Sequence, residues 1–149
     1  MVEVGEIKLT HTTDVRVIVS EYNGELGVDI RKYVNSDKYT GPTQQGVRLH
    51  KNALDALIKL LAKNDLSHQE LNAPFGKIAK SVDIDFIVQV STFSGSPKLD
   101  VREELTTSKG KFLTKKGISL PLKQANHFFE MLKEAQWAYD NFYPDHKKK

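Results

Sequence analysis

The side chains that could do chemistry here are cations and aromatic rings, and they are placed twice. Asp29 and Arg31 stand two apart, as do Asp100 and Arg102, so each pair shares one face of an extended strand. Lys109, Lys111, Lys115 and Lys116 crowd one short stretch, and Lys38 and Arg48 add cations to the first half. Tyr22 and Phe93 each stand beside a glycine-containing turn. A curved sheet that shows Lys and Arg around exposed rings suits single-stranded nucleic acid. The cations track phosphates, and the ring faces stack on bases without reading sequence. Plainer readings stay open. Arg31 and Arg102 could pair only with Asp29, Asp100 or a neighbouring carboxylate, the lysines could protect a sheet edge, and the rings could be ordinary sheet aromatics.

Catalytic patterns are not found. His11, His50, His68, His127 and His146 are scattered without metal-ligand spacing. There is no Gly-x-x-x-x-Gly-Lys loop and no nucleophile elbow. With no cysteine, disulfides, thiolate zinc sites and cysteine nucleophiles are excluded. The expectation is a protein that is not an enzyme and needs no cofactor. No apolar run reaches the length of a membrane span, and the first residues, MVEVGEIKL, give no sign of a secretory signal. Net charge is +3, unevenly spread. Residues 1–71 carry nine Lys and Arg against ten Asp and Glu, and residues 72–149 carry thirteen against nine. A polyanion should therefore be held more strongly by the second half.

The elements that position these residues also come twice, 71 residues apart and without a gap over about fifty positions. Asp29-Ile30-Arg31 falls on Asp100-Val101-Arg102, and Gly46-Val47-Arg48-Leu49 on Gly117-Ile118-Ser119-Leu120. Val17, Val19 and Gly24 fall on Val88, Val90 and Gly95, and Gly5 and Ile7 on Gly76 and Ile78. In each copy a β-rich stretch (15–19, 86–90) precedes a turn, of which Asn23-Gly24 is the stronger hairpin signal. An alternating strand, a polar connection and a short Gly-aliphatic-x-Leu strand follow. Segments 2–9 and 75–82 are candidates for one more strand each. Leu54, Leu57, Ile58 and Leu61 recur at helical spacing over 51–63. A second helix is expected after a first-turn Pro121, with Ala125, Phe128, Phe129 and Leu132 on its apolar face, running past Trp137 and Tyr139. Phe128, Phe129, Leu132 and Trp137 read as core that pairs the copies.

The fold class is thus α+β: two repeats of a curved antiparallel sheet followed by one helix, paired as a pseudo-dimer. The expected division is a first repeat at 1–63, a linker at 64–74, a second repeat at 75–143 and a basic tail at 144–149. Two repeats are too few for a solenoid.

The string Asp29-Ile30-Arg31-Lys32-Tyr33, a polar connection, and then Lys116-Gly117-Ile118-Ser119-Leu120 before a helix resembles the DNA-binding domain of the positive cofactor four family of transcriptional coactivators. The resemblance covers about residues 13–63 and 84–135. It implies a curved four-stranded sheet plus one helix, paired to give two antiparallel grooves for single strands or melted duplex. It implies base stacking at Tyr22 and Phe93, strand arginines at Arg31 and Arg102, and the basic pair Lys115 and Lys116. The chain departs from the family in several places. The basic pair is Gln44 and Gln45 in the first repeat, the family's tryptophan is Val34 and Leu105, and the hairpin cations are Asn23, Glu25, Ser94 and Ser96. Family members carry one such domain and homodimerise, whereas this chain looks like a fused dimer.

The function expected is low-specificity binding of single-stranded DNA in transcription, replication or recombination. The partners expected are single-stranded DNA or melted duplex, with RNA and transcription or replication proteins open, and no membrane. A further homodimer through Trp137, Tyr139 and Phe142 also stays open. The setting expected is intracellular: the nucleus in a eukaryote, the cytoplasm or nucleoid in a bacterium or virus. Two alternatives are a protein-interaction adaptor with decayed DNA binding and a purine-rich-element type of binder.

Overall fold

Alternating apolar residues fold each repeat into the same object. The computed structural model describes residues 1–92 and 95–142, so Phe93, Ser94 and the lysine tail lie outside the described residues. The first repeat is β1 (Val2–Lys8), β2 (Thr13–Tyr22), β3 (Glu25–Asn35), β4 (Thr40–Leu49) and helix α1 (Lys51–Lys63). The second is β5 (Pro74–Ala79), β6 (Ile84–Ser91), β7 (Lys98–Thr107), β8 (Gly110–Pro121) and helix α2 (Ala125–Asp140). Each repeat forms one four-stranded antiparallel sheet in chain order. Tyr22 pairs with Glu25 across a two-residue turn, and Asn23 and Gly24 both take positive φ (52° and 80°), as a tight hairpin of this twist requires.

One face of each sheet is apolar. Val15, Val17, Val28, Ile30, Val47 and Leu49 bury on sheet one, and Phe86, Val88, Leu99, Val101, Ile118 and Leu120 on sheet two. Both sets belong to one core, because the repeats pair. β4 packs against β8 and α1 against α2. The helices also reach across: α2 lies on β1, β2 and β3, and α1 touches β5. Gly5 and Gly76, equivalent by the repeat, make room for this. A Cβ at Gly5 would press on Met131 of α2, and one at Gly76 would collide with Leu60 of α1. Polar ties follow the same route. Lys51 Nζ lies 2.7 Å from Asp140, Gln136 donates to Asp55 at 2.8 Å, and the Tyr139 hydroxyl donates to the Leu26 carbonyl at 3.3 Å. The chain is a pseudo-dimer folded within itself.

Two expectations need correction. Pro121 is not in the first turn of α2. It ends β8 and precedes a 3-10 turn at Leu122–Gln124, and α2 starts four residues later. Trp137 is not core. The inward face of α2 is Phe128, Met131, Leu132, Ala135 and Ala138, and at 100° per residue Trp137 falls outside that stripe and stays 69% exposed.

The connection from α1 to β5 holds a 3-10 turn at Leu66–His68, capped by Asp65. The Asp65 carboxylate accepts from the Ser67 hydroxyl at 2.6 Å and the Ser67 amide at 3.0 Å, and lies 2.8 Å from His68 Nδ1. These hydrogen bonds, the Ser67 hydroxyl first, lower its pKa to about 2. A depressed carboxylate stabilises the fold above its unfolded value of 3.8, and that contribution is lost as pH falls through about 2. A carbon-detected NMR titration should find the Asp65 midpoint near 2, and a Ser67→Ala variant should move it toward the ordinary value. An unshifted midpoint in the native protein would show that the cap does not form.

Candidate nucleic-acid interface

The Asp-x-Arg pairs build the same device in both sheets. Arg31 clasps Asp29 with two donors, at 3.0 and 3.1 Å, and donates a third bond to the Thr43 carbonyl at 2.9 Å. Arg102 does the same with Asp100, at 3.2 and 3.0 Å, and with the Thr114 carbonyl at 3.0 Å. Each arginine thereby bridges the place where the ladder between its strand and the next slips register, after Arg31 and after Arg102. Thr43 and Thr114 complete it, each hydroxyl donating to a carbonyl of the facing strand (Lys32 at 2.8 Å, Glu103 at 3.0 Å). The bulge needs glycine opposite. A Cβ on Gly46 would sit 2.7 Å from the Ile30 carbonyl, and one on Gly117 2.7 Å from that of Val101. Residue types alone do not single out Thr43 and Thr114, although their coincidence at the 71-residue offset is a usable signal.

The outer face of sheet one is a charge network. Arg16 lies 4.3 Å above the Tyr33 ring, donates to Asp14 at 2.9 Å, and has Glu3 and Glu6 within 3.9 and 3.8 Å. The hydrogen bond to Asp14 raises the Arg16 pKa, against the opposing effect of burial. Burial, and next the charge of Asp29, raise that of the Tyr33 hydroxyl. Both groups keep their usual protonation at neutral pH.

Two clefts open where the repeats meet, and the pseudo-symmetry relates them. Cleft one, about 550 Å³, has Leu9, Val15, Ile118 and Pro121 as an apolar floor and Lys32, Lys98, Arg102 and Lys115 as its cations. Thr10, Thr13 and Ser119 add hydroxyls, and among the described residues no carboxylate lines it. Cleft two, about 310 Å³, is lined by Tyr22, Glu25, Leu26, Arg48, His50, Lys80 and Phe86 among others. There Arg48 donates to the Ser20 hydroxyl and carbonyl at 3.2 and 2.7 Å, reaches the Glu25 carbonyl at 3.4 Å, and stands 6.0 Å from the Tyr22 ring centre. The Tyr22 ring is 68% exposed.

The structure thus gathers Arg102 and Lys115 in cleft one, and Tyr22 and Arg48 in cleft two. Lys116 is exposed on β8, its amide bonded to the Thr114 hydroxyl at 3.2 Å. Lys38, Lys109 and Lys111 are exposed at the far ends of the β3–β4 and β7–β8 hairpins, away from both clefts. Phe93 lies outside the described residues. Lys32 and Lys98 join the site as well: Lys98 stands on β7, beside the strand that carries Lys115, whereas only the pairing of one repeat with the other brings Lys32 there.

Among the described residues no group of three or more acidic or histidine side chains could hold a metal ion, and no helix is long and apolar enough to cross a membrane. No curated protein matches the chain. A family model described as Transcriptional Coactivator p15 (PC4) matches it at residues 10–60 and again at 86–131. Those two segments take up most of the two sheet-plus-helix units, so the chain belongs to the PC4 family of transcriptional coactivators and carries that family's domain as a tandem repeat.

Proposed function

We propose that this protein binds single-stranded DNA, or the strands of melted duplex, with little sequence preference and holds unwound DNA during transcription. The observation that supports this most is cleft one, an apolar floor rimmed by Lys32, Lys98, Arg102 and Lys115 with no carboxylate among the described residues of its lining. Phosphates settle among the lysines and release counterions, and bases lie against the floor and the exposed rings. Tyr22 offers such a ring in cleft two, and Phe93, outside the described residues, is its counterpart in the sequence by the 71-residue offset. Lys115 and Lys116 extend the cationic track along β8. Arg31 and Arg102 serve the site by fixing the bulges that aim β4 and β8.

A protein-interaction adaptor is the second reading, favoured by one observation. On sheet one the outer-face cations Arg16 and Arg31 are already held by Asp14 and Asp29.

Fluorescence anisotropy with a labelled oligothymidylate separates the two. Three phosphates neutralised on a single strand give a salt slope of about −2, so fourfold more salt should weaken binding about twentyfold. Lys115→Ala/Lys116→Ala should weaken binding and flatten the slope by about 0.7 for each phosphate left without its lysine. An oligouridylate arm reports the choice between DNA and RNA. Absence of binding at low salt would remove this reading and leave the adaptor.

A further inference from the structure

The two clefts occupy equivalent places but are not equivalent in charge: by the 71-residue offset the counterparts of Lys98 and Lys115 in cleft one are Gly27 and Gln44, cleft two has Arg48 where cleft one has Ser119, and one further pair of positions differs most sharply. In repeat two, Lys80 and Glu103 form an ion pair of 2.7 Å, with the Glu103 side chain only 6% exposed. The repeat-one counterparts, by the 71-residue offset, are Leu9 and Lys32. Lys32 therefore stands where repeat two has the carboxylate, and Leu9, at the place of Lys80, carries no charge to pair with it. It is half-buried, and among the described residues its ammonium makes no hydrogen bond or ion pair. A partly desolvated, unpartnered ammonium gains most when an anion arrives. In cleft two the cations are already engaged, Lys80 by Glu103 and Arg48 by the Ser20 and Glu25 carbonyls, and Glu25 itself lines the wall.

We infer that the chain holds one nucleic-acid strand tightly rather than two, in cleft one, with Lys32 as a phosphate contact. Cleft two can offer a base the Tyr22 ring but, among the described residues, has no uncommitted cation in its lining for the phosphate, so it fills about tenfold more weakly, the usual cost of one missing charged hydrogen bond. The strand in cleft one spans both repeats, because Lys32 comes from β3 while Lys98, Arg102 and Lys115 come from β7 and β8. This rests on the single-strand-binding reading above and assigns that activity to one of two related places.

The test counts strands. The intact protein is titrated at low salt with an oligothymidylate of about ten nucleotides, followed by native mass spectrometry and by anisotropy. One tightly held strand per chain is expected. Lys32→Gln should weaken it about tenfold, a typical value for losing one charged hydrogen bond. Lys80→Leu/Glu103→Lys/Gln44→Lys places the counterparts of Leu9, Lys32 and Lys115 in cleft two and should create a second tight site, once its circular dichroism and melting confirm the fold. Two equally tight strands on the native protein, or a Lys32→Gln protein that binds like the native one, would overturn the inference while leaving the binding reading intact. A folded triple variant that still holds only one strand would overturn the assignment to these positions. No binding at all at low salt would remove both the inference and the reading beneath it.

Discussion

An Arg102→Met substitution should lower the free energy of unfolding by about 3–5 kcal/mol. Asp100 has no exposed side-chain surface, and its partners are Arg102, through two hydrogen bonds, and the Ser119 hydroxyl at 2.5 Å. Removing the guanidinium leaves a buried carboxylate with one neutral donor. It also releases the Thr114 carbonyl, and with it the bulge that turns β8. The same change at Arg31 is the internal comparison. Asp29 is 18% exposed there, so water can replace part of what is removed. About 1–2 kcal/mol is expected at that position. Urea denaturation of both variants measures the difference. Equal, small losses would mean that Asp100 is not the desolvated charge its burial indicates.

Phe128→Ala should cost about 3–5 kcal/mol, because a fully buried ring is exchanged for a cavity. Leu54→Ala, in the other helix and equally buried, should cost about 2–5 kcal/mol. Both should move the same single transition. The core draws from both repeats, and α2 lies on the sheet of repeat one. Calorimetry checks this against the van't Hoff enthalpy from a melting curve. Two separated transitions, each sensitive to one variant, would show that the repeats unfold as independent bodies.

Much of this architecture is legible in the sequence, and for definite reasons. A 71-residue offset reports itself without any structure. The spacing of Leu54, Leu57 and Leu61 fixes a helix, and Asn23-Gly24 marks a hairpin because only a few residue pairs tolerate two positive φ values. The family resemblance rests on the same strand and glycine pattern that builds the bulges. What is not legible depends on pairing between distant elements. Asp-x-Arg announces a shared face but not whether the guanidinium looks outward or is spent on its neighbour. Trp137 follows the composition of a core helix, yet its angle on α2 is set by what the helix packs against. Cleft one joins residues between 9 and 45 with residues between 98 and 121, and no local period connects those segments. For that reason Lys32 reads, in its local context, as an ordinary strand residue.

The crossing of each helix onto the other half has a consequence for how the protein behaves on dilution. An assembly of two separate chains built this way would follow mass action, its stability falling with protomer concentration. Here the halves are joined by the short stretch from Lys63 to Pro74, which keeps each at an effective concentration on the order of millimolar beside the other. Melting temperature should therefore not change with protein concentration. The tether also frees the halves from identity. In a homodimer every substitution appears twice, whereas in this chain Leu9 can face Lys32 on one side while Lys80 neutralises Glu103 on the other.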